Sequence, residues 1–476
     1  MRTVERFSRN IAWQAVAEAL TRLIAFLYTA FIARALGVTE FGIYTIILIF
    51  ARFGITATDF GFIPLIVRDV AKEKRRSGEY LGNALLLQLM IFVPVFVLLA
   101  LTANFLGYES RVKHLIYIYS VGVLCISLAG TFGAVFKAHE KFKYPAMISV
   151  AAMVARAGLY FGAVILGYGL GGIAGMFVVA ALLQLGLMAG YALRRIGNLR
   201  ISVQRSSWRY LLSEGLAFAL IGVGGIIYFR ADTVILSRLQ GESATGLYGA
   251  SFRIFDLLLV IPSLVSGTIY PVMSRFHAMA ADLNRIIYEK YFQYMLFLGL
   301  PMALGVTFLS KEIMALVFGE AFIPSAHALS VLTWTLFLIF LNSPPGALLN
   351  STGRQWSVLG LTIVAALLNI VLDFLLIPSY SLNGAAYATV LPRIIVFLSF
   401  QFLVSKYYFR IRLGQYTPKL IVASAIMAGF IYLGRGLNLI IVVLGAIALY
   451  FFMLYLLGTF DEFDKMLARR AFSALL

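Results

Sequence analysis

Long apolar stretches, broken at short intervals by glycine, proline or charge, run through almost the whole chain. A hydrocarbon core about 30 Å thick asks for roughly 20 mostly apolar residues per helix. That ruler fits fourteen times, over 11–33, 41–67, 80–105, 114–136, 145–166, 171–193, 210–237, 245–270, 287–309, 325–349, 355–377, 384–405, 420–434 and 437–458. The last two stretches are the shortest. A membrane β-barrel would show segments of about ten residues with alternating polarity instead, and this pattern does not. It predicts an all-α integral membrane protein of about fourteen transmembrane helices.

Composition agrees. Of 476 residues, 61% are hydrophobic and 13% charged, against about a quarter charged in an average soluble protein. A soluble enzyme, a disordered chain and a secreted disulfide scaffold are excluded. Cys125 is the single cysteine, which leaves no disulfide framework. The basic start, residues 1–10, leads into an apolar run that no small-residue cleavage site closes, so the first helix is expected to stay in the mature chain.

The formal charge of +18 looks out of place in oil until it is mapped. With the N-terminus in the cytoplasm, 27 Lys and Arg fall on the cytoplasmic side and 6 on the outer side. The excess alternates loop by loop, as the positive-inside rule requires. The sequence therefore predicts a multi-pass protein of the cell (cytoplasmic) membrane with both termini cytoplasmic. No loop has room for a catalytic domain; the longest lies around 194–209. His114, His139, His277 and His327 show no metal-ligand spacing, so neither metal nor cofactor is expected. The basic stretches lie beside spans and do not point to nucleic acid.

Two echoes reveal an internal repeat. Arg34-Ala-Leu-Gly37-Val-Thr-Glu-Phe-Gly42-Ile-Tyr44 matches Arg238-Leu-Gln-Gly241-Glu-Ser-Ala-Thr-Gly246-Leu-Tyr248 at an offset of 204. Tyr168-Gly-Leu170-Gly-Gly172-Ile-Ala174 matches Tyr380-Ser-Leu382-Asn-Gly384-Ala-Ala386 at 212. The chain reads as an N-terminal six-helix lobe (1–194), a cytoplasmic linker (195–209), a C-terminal six-helix lobe (210–406), and two extra helices with a tail (407–476). An even number of crossings per lobe implies a pseudo-two-fold axis along the membrane normal. Pro344-Pro345, inside a span, predicts a local break in that helix.

Six arginines lie within the spans: Arg22, Arg52, Arg156, Arg230, Arg253 and Arg393. Six acids accompany them: Glu18, Asp59, Glu214, Asp232, Asp256 and Asp373. Each central charge costs about 2.5–3.5 kcal/mol on insertion scales, so most must face a watery cavity or one another. Arg22, Arg52, Arg230 and Arg253 fall at similar depth and predict a cationic layer. Guanidinium stays charged and grips phosphate oxygens bidentately. Glu18 and Arg22 are four apart, and Arg253 and Asp256 three apart, so each pair shares a helix face. Glu18, Asp59, Asp232 and Asp256 are read as charge-pair or coupling carboxylates. Helix-to-helix ion pairing remains the competing reading for all of these groups.

The ordered motifs resemble the polysaccharide-export and O-antigen flippase family of the multidrug, oligosaccharidyl-lipid and polysaccharide exporter superfamily. They are Arg34-Ala-Leu-Gly37…Phe41-Gly42-Ile-Tyr44, Asp59-Phe-Gly61…Arg68-Asp69, Ala231-Asp232-Thr-Val-Ile-Leu236 and Gly246-Leu-Tyr248…Arg253. Tyr270-Pro271, Leu348-Leu-Asn350…Gly353-Arg354-Gln355 and Asn369…Leu376-Ile-Pro378…Gly384-Ala-Ala386 complete the series. The resemblance implies two lobes around a cavity and alternating access that moves a polyprenyl-pyrophosphate-linked oligosaccharide from the inner to the outer leaflet. The implied partners are that substrate, membrane lipids and other polysaccharide-assembly proteins, with coupling to Na+ or H+ left open. A lipid II flippase and a cation-coupled multidrug exporter share the superfamily. A non-transporting membrane enzyme or scaffold of polysaccharide synthesis is the reading from another class.

Overall fold

The computed structural model describes residues 2–196, 201–277, 281–409 and 417–459. Part of the expected linker (197–200), residues 410–416 and the basic tail with Lys465, Arg469 and Arg470 lie outside them. Among the described residues there is no strand, only one isolated bridge between Arg435 and Leu437.

Three helices are too long for one crossing: α1 (Arg2–Asp59), α7 (Trp208–Leu258) and α11 (Gln355–Tyr407), of 58, 51 and 53 residues. At 1.5 Å per residue a straight helix of that length would run about 80 Å. Each is interrupted by one non-helical residue: Gly37 (φ 79, ψ 178), Gly241 (φ 78, ψ −174) and Ser381 (φ 52, ψ −131). The remaining helices are α2 (Phe62–Lys72), α3 (Ser77–Phe105), α4 (Ser110–Ala138), α5 (Lys143–Ile165), α6 (Gly169–Arg195), α8 (Val260–His277), α9 (Ala281–Phe318), α10 (Ala326–Ser351), α12 (Thr417–Leu433) and α13 (Leu439–Leu456). Among the described residues ten stretches are long and apolar enough to cross a membrane, and α12 is a shorter apolar helix. With the three broken helices each crossing twice, this is consistent with fourteen crossings.

The chain divides into two compact units, 1–249 and 250–476. In the first, α4 packs against α1, α2, α3 and α6. The apolar core at the end of this unit that bears Arg68 to Arg76 is built from Phe62, Leu65, Ile66, Leu81, Phe132 and Phe136. At the opposite end, the two repeat-related corners pack on each other. A Cβ on Gly42 would run into the Glu242 carbonyl, and a Cβ on Gly246 into the Val38 carbonyl. Val38 and Glu242, like Gly42 and Gly246, are 204 apart. The contact is therefore reciprocal, as a local two-fold demands.

In the second unit α10 lies against α8, α9 and α11. Helices α12 and α13 dock on α9 through Phe297, Met427 and Tyr450, whose hydroxyl donates to the Phe297 carbonyl at 2.9 Å. The break expected at Pro344-Pro345 is absent: α10 runs through both prolines, which are buried. Proline fixes φ near −65°, already helical, so the helix continues through the pair although two amide donors are lost. The chain does break at Leu259, three residues before Pro262.

Candidate functional site

Three of the four predicted arginines belong to the first unit. Arg22 pairs with Glu18 one turn away, Nη2 to Oε1 at 2.6 Å and Nε to the same oxygen at 3.2 Å. Both side chains are about half exposed, 44% and 50%, so the pair is held loosely and its charges stay open to a third party. Arg52 is exposed on the second limb of α1. Asp59, seven residues on, accepts the Ile63 amide through Oδ1 at 3.2 Å. It thereby caps α2 after the turn at Phe60 and Gly61, where φ is 50° and 79°.

Asp232 is the most committed of the carboxylates. Only 3% exposed, it accepts the Thr233 amide at 2.5 Å, the Thr233 hydroxyl at 3.0 Å and the Tyr248 hydroxyl at 2.5 Å. Arg230, which cannot share its face, still acts on it through its charge. Tyr248 is the last residue of the repeat motif. In the second unit, Arg253 is half-buried and makes no hydrogen bond or ion pair among the described residues. Its i,i+3 spacing from Asp256 is thus not realised as a bond. Asp373 is fully buried on α11, one turn from Asn369.

The first unit also carries a polar lock that hydropathy did not reveal. At the end of the unit bearing Arg68 to Arg76, residues 201–207 are strapped to the start of α3. The Ser202 amide donates to the Gly78 carbonyl at 3.3 Å, and the Gln204 amide and Trp208 indole both donate to Asn83 Oδ1, at 3.0 and 2.8 Å. Ser207 donates to Glu79 at 2.6 Å, and Glu79 also takes a bidentate grip from Arg76 at 2.8 and 2.9 Å. Nearby, Arg68 bridges Asp69 at 2.8 Å and Glu214 at 3.0 Å, while Tyr210 donates to Asp69 at 2.8 Å. Asp69, Arg76, Glu79, Ser207 and Tyr210, with Lys72 and Gln204, line a cavity of about 480 Å³. One signal pointed here: Asn83 and Glu79 sit where an apolar span begins. Among the described residues no three His, Cys, Asp or Glu side chains converge to hold a metal ion.

Broken helices, a repeat-related corner and charges held inside the spans define a multi-span transporter fold. A solved structure described as "Lipid II flippase MurJ, inward closed conformation" shares it with a TM-score of 0.74 at 17% identity, covering 93% of this chain and 98% of that one. The chain belongs to the family described as "Polysaccharide biosynthesis protein", whose profile matches residues 7–277; the MatE profile matches 223–375. It is 24% identical to the "Probable low-salt glycan biosynthesis flippase Agl15" of Haloferax volcanii, over 77% of each chain. It is 23% identical to the "Capsular polysaccharide biosynthesis protein CapF" of Staphylococcus aureus, over 84% of this chain and 98% of that one.

Proposed function

We propose that this protein is a flippase that moves a polyprenyl-pyrophosphate-linked oligosaccharide from the inner to the outer leaflet by alternating access. It acts without bond chemistry of its own, in the cell membrane, with both termini and the loops rich in Lys and Arg on the cytoplasmic face. The observation that carries this reading is the family match over more than half of the chain. Relatives named for glycan flipping and capsule synthesis along most of their length support it. The charge inside the spans fits: Arg22, Arg52, Arg230 and Arg253 offer guanidinium to pyrophosphate or acidic sugars, and the paired Glu18 lowers the cost of keeping Arg22 there. Glu18, Asp59, Asp232 and Asp256 are the carboxylates for charge pairing or for Na+ or H+ coupling; Glu18 is paired with Arg22, Asp59 caps α2 and Asp232 accepts from Tyr248.

The test is flipping of a fluorescent lipid-linked oligosaccharide in proteoliposomes. A charge-assisted hydrogen bond contributes about 1.5–3 kcal/mol, so Arg52→Ala, Arg230→Ala and Arg253→Ala should each slow flipping about tenfold or more with unchanged melting. Wild-type rates in all three variants would sink the role assigned to the arginines. Sugar transfer by the purified protein would sink the transporter reading itself.

A further inference from the structure

Arg156 stands near the middle of α5 on its inward face. Ile148, Ala152, Tyr160 and Ala163, on the same face, are all buried, whereas Val154, Phe161 and Ile165 are exposed on the opposite side. Its guanidinium carbon lies 5.0 Å from the centroid of the Phe177 ring. Phe177 in turn stacks on Tyr119 at 4.1 Å. Tyr119 and Tyr160 share a hydrogen bond of 3.0 Å, and Tyr28 meets Tyr160 edge-on at 5.3 Å. Ionisable groups near Arg156 include the phenols of Tyr28, Tyr44, Tyr119 and Tyr160. Its Nε is buried and has no hydrogen-bond partner, and no ion pair reaches the residue among the described residues.

A cation stacked on one ring is satisfied on its face only; the five N–H donors lie along its edge. Ringed by phenols and with no acid paired to it among the described residues, that edge repels cations and fits an anionic oxygen group. We propose that Arg156, with Tyr28, Tyr119 and Tyr160 around it, is an oxyanion-binding subsite inside the first unit, taking a phosphate or a sugar carboxylate of the cargo. The assignment of the oxyanion to cargo rests on the flippase reading above; the binding itself does not. The aromatic faces beside the guanidinium suit a sugar ring that carries or adjoins the charge.

The experiment is isothermal titration of the full chain in detergent with inorganic pyrophosphate and, separately, with glucuronate, against chloride at matched ionic strength. Wild type should bind at least one of the two. Arg156→Gln should weaken that binding about tenfold or more, Arg156→Lys less, and Arg111→Gln, at the exposed Glu40 ion pair, should leave it within about twofold. Should Arg156→Gln fail to fold, Tyr160→Phe and Arg156→Lys carry the test, and each should weaken binding measurably. Preference for pyrophosphate identifies the lipid-phosphate end as ligand, and preference for glucuronate the glycan end. Binding of neither anion to wild type, or unchanged affinity in the Arg156 variants, overturns the proposal. Anion binding through Arg156 in a protein that flips no lipid-linked sugar would instead sink the flippase reading alone.

Discussion

The two repeat-related corners of the first unit share a backbone and differ in polarity. Gly37 and Gly241 adopt nearly the same left-handed φ, and Gly42 and Gly246 touch each other's corner reciprocally. Tyr44 corresponds to Tyr248 and Tyr28 to Asp232, each 204 residues apart. In the second corner Tyr248 donates to buried Asp232. In the first, Tyr28 stands in the place of the acid, and the nearby charge is the arginine brought by α5. Main-chain approach tolerates only glycine at the contact, so the scaffold is fixed there. Nine residues before each bend, side chains are free to reverse the sign of the interior.

The comparison can be broken most forcefully at the glycines. Gly42→Val and Gly246→Val each push a side chain into main-chain atoms and should cost about 1–3 kcal/mol or more, lowering the melting temperature of the purified protein by similar amounts. A large inequality between the two would refute the reciprocal contact. Next in size, Asp232→Ala strands the Tyr248 hydroxyl and the Thr233 amide, for about 1–3 kcal/mol, whereas Tyr28→Phe should leave the melting temperature nearly unmoved. Equal losses at these two positions would mean that the corners do not differ in polarity as described.

Smaller still is the ion pair that only the first corner has. Arg111 holds Glu40 at 2.6 and 2.8 Å, while Ala244 occupies the place matching Glu40. Arg111→Gln should cost about 0.2–1 kcal/mol in low salt and less in high salt, read from melting curves at two ionic strengths. The smallest effect is expected at His139, which shares a 2.7 Å hydrogen bond with Ser77. Burial, and then the charges of Lys74 and Lys141, lower its pKa from the ordinary histidine value. The folded state therefore binds this proton less readily than the unfolded one. Its contribution is flat above about pH 6.5, the unperturbed value, and stability falls as the pH drops below that. His139→Gln should flatten that acid slope in melting curves from pH 7 to pH 5; an unchanged slope would remove His139 as its source.

Hydropathy made the spans legible because lipid imposes a length on each, and the repeat made the glycine corners legible. Helix periodicity alone placed Glu18 beside Arg22. It failed for Arg253, because an i,i+3 spacing permits a bond without requiring one. It could not find Tyr248 for Asp232, since that partner comes from across a corner rather than along a helix. Pro344-Pro345 misled because the lost donors argue for a break, whereas the φ that proline imposes is itself helical. The lock around Asn83 was hidden for a related reason: a polar side chain inside an apolar run has no partner visible in the linear pattern.

That lock bears on how the protein is made. Asn83 emerges with the third crossing, yet both its donors, the Gln204 amide and the Trp208 indole, come more than a hundred residues later. A nascent chain inserted only as far as α6 holds Asn83 and Glu79 without those partners. The first compact unit extends past these donors to Gly249. The first repeat is therefore not a self-sufficient insertion module: the ribosome must deliver the opening of the second before the first can set.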